Sequence, residues 1–350
     1  MNDSQHPGTS SDRSGPIPRR SVLKTAGVGG AVMALGLGVA ESAGARAVPK
    51  RSVAADGRVG GNSVDLFCRV KMGEFDDAGN GTMTVTCGNY GPDDATGPVS
   101  LKFITPYFIN VATLPNVPGG TTSWLYENTA PDVPSMFKVA FDGITVGTTV
   151  DVVVQLTLHP EAPNIPASGR VIFTTDEGNT EDTDGDLSHN EFPVISVRKS
   201  KQHPVKGNSN LYFTTEGAPL VIGGPAKPIA FQFYNGAGLL HPTESVSHFT
   251  FSTPFYARVP AGGRPPGLTM LYENDDPAVP SIYQLAIPPG IGLFGPVPTV
   301  VHIPFQAQPG GPFGHIGGPG IVVPTGSDSQ GDYSDSHHWF GFVMVKEGAV

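Results

Sequence analysis

LYENTAPDVPS, running from Leu125 to Ser135, returns as LYENDDPAVPS from Leu271 to Ser281 with unchanged internal spacing. Eight of the eleven positions are identical, and the offset between the copies is 146 residues. A match of this length within one chain marks a duplication, so the chain reads as two related units in tandem. The correspondence extends outward. Thr105-Pro106-Tyr107-Phe108 with Val111 matches Thr253-Pro254-Phe255-Tyr256 with Val259, and Phe192 to Val197 matches Phe340 to Val345, both at an offset of 148. Asp182, Gly185, Asp186 and Ser188 match Asp328, Gly331, Asp332 and Ser334. A drift of two residues places small insertions in loops and keeps strands in register. The expected units are residues 60–198 and 208–346, joined by a polar linker over 199–207 that holds three lysines.

Glycine and proline supply 81 of the 350 residues, close to double their usual share. Between these clusters the aromatic and β-branched residues alternate in short runs, and no run outside the leader keeps helical periodicity over three turns. Val64, Leu66, Cys68 and Val70 share one face; Met83, Val85 and Cys87 share another, with Thr82, Thr84 and Thr86 opposite. Val152, Val154, Leu156 and Leu158 likewise oppose Asp151, Gln155 and Thr157. One apolar and one wet face per strand is the requirement of a sandwich sheet. The fold class expected is all-β, two tandem immunoglobulin-like β-sandwiches behind a cleaved leader. Asn80-Gly81 and Asn235-Gly236 read as tight turns.

The first 47 residues read as an address. Pro18-Arg19-Arg20-Ser21-Val22-Leu23-Lys24 resembles the twin-arginine export signal, a glycine-rich apolar run follows, and Ala45-Arg46-Ala47 offers a cleavage site. That resemblance implies export of a folded protein across a bacterial membrane, with secreted or loosely wall-associated residence. Removing the leader leaves 16 cationic against 28 anionic groups, a net of −12. Such a balance disfavours nucleic acid and anionic lipid, which need clustered lysine and arginine. No membrane anchor is expected in the mature chain. In an oxidising compartment Cys68 and Cys87, on the apolar faces of neighbouring strands, are expected to form a disulfide worth roughly 3 kcal/mol.

TMTVTCGNYGPDDATGPVSLKFITP, residues 82–106, resembles the bacterial surface "conserved repeat domain" of unknown function eleven: a Thr/Val strand, the turn Asn89-Tyr90-Gly91-Pro92, the pair Ala95-Thr96, and a strand ending at proline. The resemblance implies an immunoglobulin-like sandwich on or outside a bacterial envelope. The second unit departs from it, with Tyr234-Asn-Gly-Ala-Gly238 in place of the Asn-x-Gly-Pro turn.

Candidate sites are few. Asp182, Asp184 and Asp186 place oxygen ligands at alternate positions, with Ser188 and Glu191 following, as calcium loops do. Leu187 and Pro193 break the EF-hand pattern, so a solvated acidic turn competes with calcium. His241, His248, His302, His315, His337 and His338 invite a transition metal but show no known ligand spacing. Trp124, Tyr126, Tyr272, Tyr333 and Trp339 are candidates for glycan stacking, with core packing the competing role. Glu127 and Glu273 in the repeated block could touch a ligand, although Asn and Pro there suit turn construction. No nucleophile elbow and no zincin helix is present. The leading expectation is a non-catalytic structural, adhesive or binding protein whose partner is an extracellular protein or glycan. The alternatives are a carbohydrate-binding or calcium-dependent module for wall or polysaccharide turnover, and a metal- or carboxylate-dependent hydrolase.

Overall fold

The computed structural model describes residues 63–159, 162, 168–175, 191–195, 211–236, 242–292, 299–311, 314–326 and 339–346. Every regular element among them is a strand. The first nine are β1 (Leu66–Met72), β2 (Asn80–Asn89), β3 (Val99–Ile104), β4 (Ile109–Thr113), β5 (Gly120–Tyr126), β6 (Met136–Phe141), β7 (Thr149–Leu158), β8 (Ser168–Thr175) and β9 (Glu191–Ile195). The remaining ten are β10 (Leu211–Gly217), β11 (Leu220–Val221), β12 (Lys227–Asn235), β13 (Ser247–Ser252), β14 (Ala257–Arg258), β15 (Leu268–Tyr272), β16 (Ile282–Ile287), β17 (Thr299–Ala307), β18 (Gly314–Pro324) and β19 (Trp339–Val345).

Two sheets form from β1–β9, in the orders β1-β2-β7-β4 and β5-β6-β3-β8-β9. The later strands repeat the plan as β10-β12-β17-β14 and β11-β19-β18-β13-β16-β15. Read from β9, the five-stranded sheet has the G-F-C-C′-C″ order of a variable-type immunoglobulin sheet, opposite an A-B-E-D sheet. β4 occupies the D edge although it follows C in the chain. β11 has no counterpart among the described residues of the first half, and it pairs in parallel with β19. The fold is therefore all-β, and nine strands recur in the same pairing.

Alternation sets which side chains are inside. In β2, Met83, Val85 and Cys87 are buried, and their partners in β7, Val154, Val152 and Val150, complete that face. They pack on Leu101, Phe103, Phe137, Val139 and Phe173 of the opposing sheet as one core. The outer face carries Thr82 bonded to Gln155 and Thr86 bonded to Asp151. The second core is aromatic, with Phe213, Phe231, Phe233, Phe249, Phe251, Phe305 and Phe340 in mutual contact.

Two local readings need correction. The turn before β2 is not Asn80-Gly81, which already lie in the strand; the chain reverses over Asp76 to Asn80, where the Asp76 carboxylate accepts from the Ala78 and Asn80 amides and Gly79 takes φ 83°. Aspartate caps its own turn here, so Asn-Gly is not needed. Cys68 and Cys87 are free thiols, without the expected disulfide, although they sit directly opposite one another in the β1–β2 register and both are buried. Directly paired strand positions hold Cα atoms about 4.5–5.5 Å apart, at the short end of what a disulfide spans.

Candidate functional site

The repeated block builds the same corner twice. β5 and β15 each end at the block's tyrosine after a register shift, between Trp124 and Tyr126 in one and between Met270 and Tyr272 in the other. The Asn128 side-chain amide donates to the Tyr126 hydroxyl at 2.8 Å, and Asn274 donates to Tyr272 at 2.7 Å. The same asparagines accept, through Oδ1, from the amides of Ala130 and Asp276, forming Asx turns. Ser135 and Thr105 close the corner with two bonds, Ser135 N–H to Thr105 Oγ1 and Thr105 N–H to Ser135 C=O; Ser281 and Thr253 do likewise. The prolines contribute carbonyls, Pro131 accepting from Phe108 N–H and Pro277 from Tyr256 N–H.

Those last two donors are the only non-glycine residues with positive φ among the described residues, Phe108 at 61° and Tyr256 at 59°. A left-handed bulky residue is strained, and here it turns the preceding ring, Tyr107 or Phe255, out of its own sandwich. Tyr107 is fully buried, and its hydroxyl proton lies between the carbonyls of Thr250 at 3.1 Å and Pro319 at 3.2 Å, both in the second half. Burial first, and the Asp132 carboxylate second, push its pKa well up, so it remains a donor. Phe255 goes the other way, with the Arg170 guanidinium of β8 lying 5.9 Å from its ring centre. By the strand registers, Arg170 corresponds to Pro319 and Lys102 to Thr250. The insertion is thus reciprocal, about a pseudo-twofold axis. Near that axis Tyr126 and Tyr272, equivalent residues, meet with centroids 5.2 Å apart, and β8 lies against β18. Ile104, Val133, Met136 and Ile172 of the first half join the second half's core, so the two sandwiches are continuous.

Gly169 and Gly318 allow this approach. A Cβ at Gly169 would lie 2.5 Å from the Ile104 carbonyl oxygen, and one at Gly318 would lie 2.3 Å from that of Ser252. These are equivalent sites beside the two Thr-Pro corners.

Lys102 and Arg170 are cations buried on the first half's side, 1% and 5% exposed. Lys102 Nζ reaches Thr174 Oγ1 at 3.4 Å, and burial holds the Arg170 pKa well below its usual value. A further cluster exists only in the second half. Arg264 pairs with Glu273 at 2.6 Å, covers the Tyr283 ring at 5.2 Å, and donates to the Val259 carbonyl at 2.9 Å. Tyr283 donates to Glu273 at 3.0 Å, and burial raises the pKa of its hydroxyl. Phe137 stands where Tyr283 does, so the first half cannot build this cluster.

The expected site residues fare unevenly. Glu273 is held by Arg264 and Tyr283, whereas Glu127 is exposed. Trp124 packs edge-on against Phe137 at 6.1 Å, and with Tyr126 and Tyr272 it serves packing. His248, His302 and His315 fall on three separate strands, β13, β17 and β18, and no group of three His, Cys, Asp or Glu side chains converges among the described residues. Asp182, Asp184, Asp186, Ser188, His241, His337, His338, Tyr333 and the leader residues Arg19, Arg20, Ala45 and Ala47 lie outside the described residues. Glu191 and Trp339 are described in backbone only, each opening a strand. The thiols of Cys68 and Cys87 have pKa values pushed up, by burial above all, which makes them poor nucleophiles. In the predicted Asn89-Tyr90-Gly91-Pro92 turn, the fully buried Asn89 accepts from Asp65 N–H at 3.1 Å and Gly91 N–H at 2.8 Å and donates to the Asp93 carbonyl at 2.9 Å. A side chain at Gly91 would lie 2.5 Å from the Asp65 nitrogen, which accounts for the glycine.

The reciprocal rings, the buried cations and the Arg264 cluster were not anticipated. The Thr-Pro-aromatic-aromatic repeat was visible in sequence; its positive φ was not.

No family model matches the chain, and no curated protein matches it. Solved structures overlap it weakly. The partial N-terminal region of an enterococcal surface protein covers 82% of this chain and is itself covered over 96%, with 7% identity and a TM-score of 0.27. Red sea bream transglutaminase covers 82% of this chain, which spans 32% of it, with 10% identity and a TM-score of 0.23. The C-terminal domain of the antigen I/II-family protein AspA of Streptococcus pyogenes covers 81% and is covered in full, with 8% identity and a TM-score of 0.21. Overlaps this low assign no role to the chain. Among the described residues no helix is long and apolar enough to cross a membrane.

Proposed function

We propose that this chain is an exported bacterial protein, non-catalytic, in which two duplicated immunoglobulin-like sandwiches act as one structural or adhesive unit. One observation carries the reading: the best-preserved residues of the duplication are spent on holding the sandwiches together. Thr105, Asn128, Ser135 and their counterparts Thr253, Asn274 and Ser281 build corners, while Tyr107, Tyr126, Phe255 and Tyr272 fill the junction. A duplicated catalytic site would repeat reactive groups; what is repeated here is a joint. The twin-arginine-like leader and the acidic mature balance support residence outside the membrane. The resemblance of residues 82–106 to the envelope repeat domain points the same way, now with a physical reason for its Asn and Gly. The partner is an extracellular protein or glycan.

The test is a pull-down from isolated cell envelope, alongside a glycan array, with the intact mature chain as bait. Saturable retention of a specific component supports the reading. Hydrolysis of an envelope polymer by the purified chain would sink it in favour of the hydrolase alternative.

A further inference from the structure

Each half presents to the other a surface that the other also carries. Tyr107 inserts beside Thr250 and Pro319, and Phe255 inserts beside Arg170. Tyr107 and Phe108 pack with Ile321, while Phe255 and Tyr256 share a cluster with Ile172, the residue equivalent to Ile321. Tyr126 meets Tyr272, its own counterpart. A contact in which position i meets j and j meets i is isologous, the geometry of a twofold dimer. It needs one first half and one second half, and nothing in it requires both to belong to one chain.

Going beyond the reading above, we propose that this junction also joins two copies of the chain, the first half of each docking on the second half of the other. Ile195 at the end of β9 and Leu211 at the start of β10 are separated by 15 residues, which extend to about 55 Å at most. Closed monomer and exchanged dimer contain the same contacts, so tether concentration decides between them. A short flexible tether holds its ends at an effective concentration on the order of millimolar. Chains folding at about 10 μM close on themselves, and chains folding near 1 mM exchange in comparable numbers. The exchanged dimer carries every outer surface twice, which raises avidity for a repetitive envelope or glycan target without any new contact.

The Tyr126–Tyr272 contact supplies the test. Two full-length chains, one carrying Y126C and the other Y272C, are unfolded in urea, refolded together from about 10 μM to 1 mM, and oxidised. Peptide mapping then reads the 126–272 bond. The expected result is a covalent heterodimer that rises at least tenfold in yield over that range and is absent when the chains are folded separately before mixing. A single chain carrying both Y126C and Y272C closes internally at low concentration, which verifies the geometry. Internal closure without any between-chain bond at 1 mM overturns the proposal, and so does failure of the folded double variant to close. Should the variants not refold, the unaltered chain refolded near 1 mM is weighed by light scattering. A dimer that persists on dilution supports exchange, and monomer alone refutes it.

Discussion

Replacing Tyr107 with phenylalanine removes one hydroxyl from the junction and leaves the ring that fills it. The hydroxyl is fully buried and has two carbonyls within reach, at 3.1 and 3.2 Å, but only one proton to give. Losing a neutral bond of this kind removes about 1 kcal/mol, and the carbonyl left dry adds up to about 1 kcal/mol more. Y107F should therefore lower stability by about 1–2 kcal/mol, or roughly 2–6 °C in Tm for a chain of this size. Y107A also empties the space of the ring, and the expected loss grows to about 3–5 kcal/mol, with F255A similar. Urea unfolding of the full chain, followed by circular dichroism and by tryptophan fluorescence, reads both quantities. Because Ile104, Val133, Met136 and Ile172 run into the second core, the parent should unfold in one transition by both probes. In Y107A the probes should separate as the halves uncouple. A Y107F chain within about 0.3 kcal/mol of the parent, or a Y107A chain that keeps a single unshifted transition, would refute the claim that this ring ties the halves together.

G169A and G318A each drive a methyl group into a backbone carbonyl at 2.5 and 2.3 Å, and each should lose about 1–3 kcal/mol in the same titration, whereas G97A, with open space around it, should be near neutral. Asp76 has its pKa lowered, chiefly by the Asn80 amide, so its contribution is fully present above the unfolded value near 3.8 and is lost as pH falls through the lower folded one; carboxyl NMR should show it titrating below 3.8, and D76N should flatten that part of the acid limb. Ellman's reagent should find no thiol in the folded protein and two after unfolding, because Cys68 and Cys87 are buried and their pKa values are raised; none after unfolding would mean that the disulfide had formed. The calcium expectation for Asp182, Asp184, Asp186, Ser188 and Glu191 is checked by calorimetry: occupancy raises Tm in millimolar calcium and lowers it in EDTA, and an unmoved Tm disposes of the site.

The duplication and the strand alternation were legible because both are local. Met83, Val85 and Cys87 point inward for reasons that lie within five residues, and the offset of 146–148 needs only counting. The bland role of the repeated block was also legible, since asparagine and proline announce a corner; its tyrosines, however, are held by the Asn128 and Asn274 side chains where backbone partners were expected. The junction was not legible. Tyr107 looks like any aromatic after a Thr-Pro corner, and only a left-handed Phe108 sends it into the neighbouring sandwich. Arg264, Glu273 and Tyr283 come together from separate strands and a loop, and no spacing rule connects them.

The two sandwiches share a plan but finish it differently. In the second, β11 runs alongside β19 and roofs the last strand. In the first, β9 pairs only with β8 among the described strands, and Pro193 sits in the middle of its five residues. A bare strand is a template on which stray chains can grow, and a proline spoils the template by deleting one donor from the row. The counterpart of Pro193 is Gly341, which has a neighbour to shield it and can afford its amide. Swapping that proline for a donor-bearing residue would leave the fold intact while turning a quiet rim into a seed for fibrous assembly.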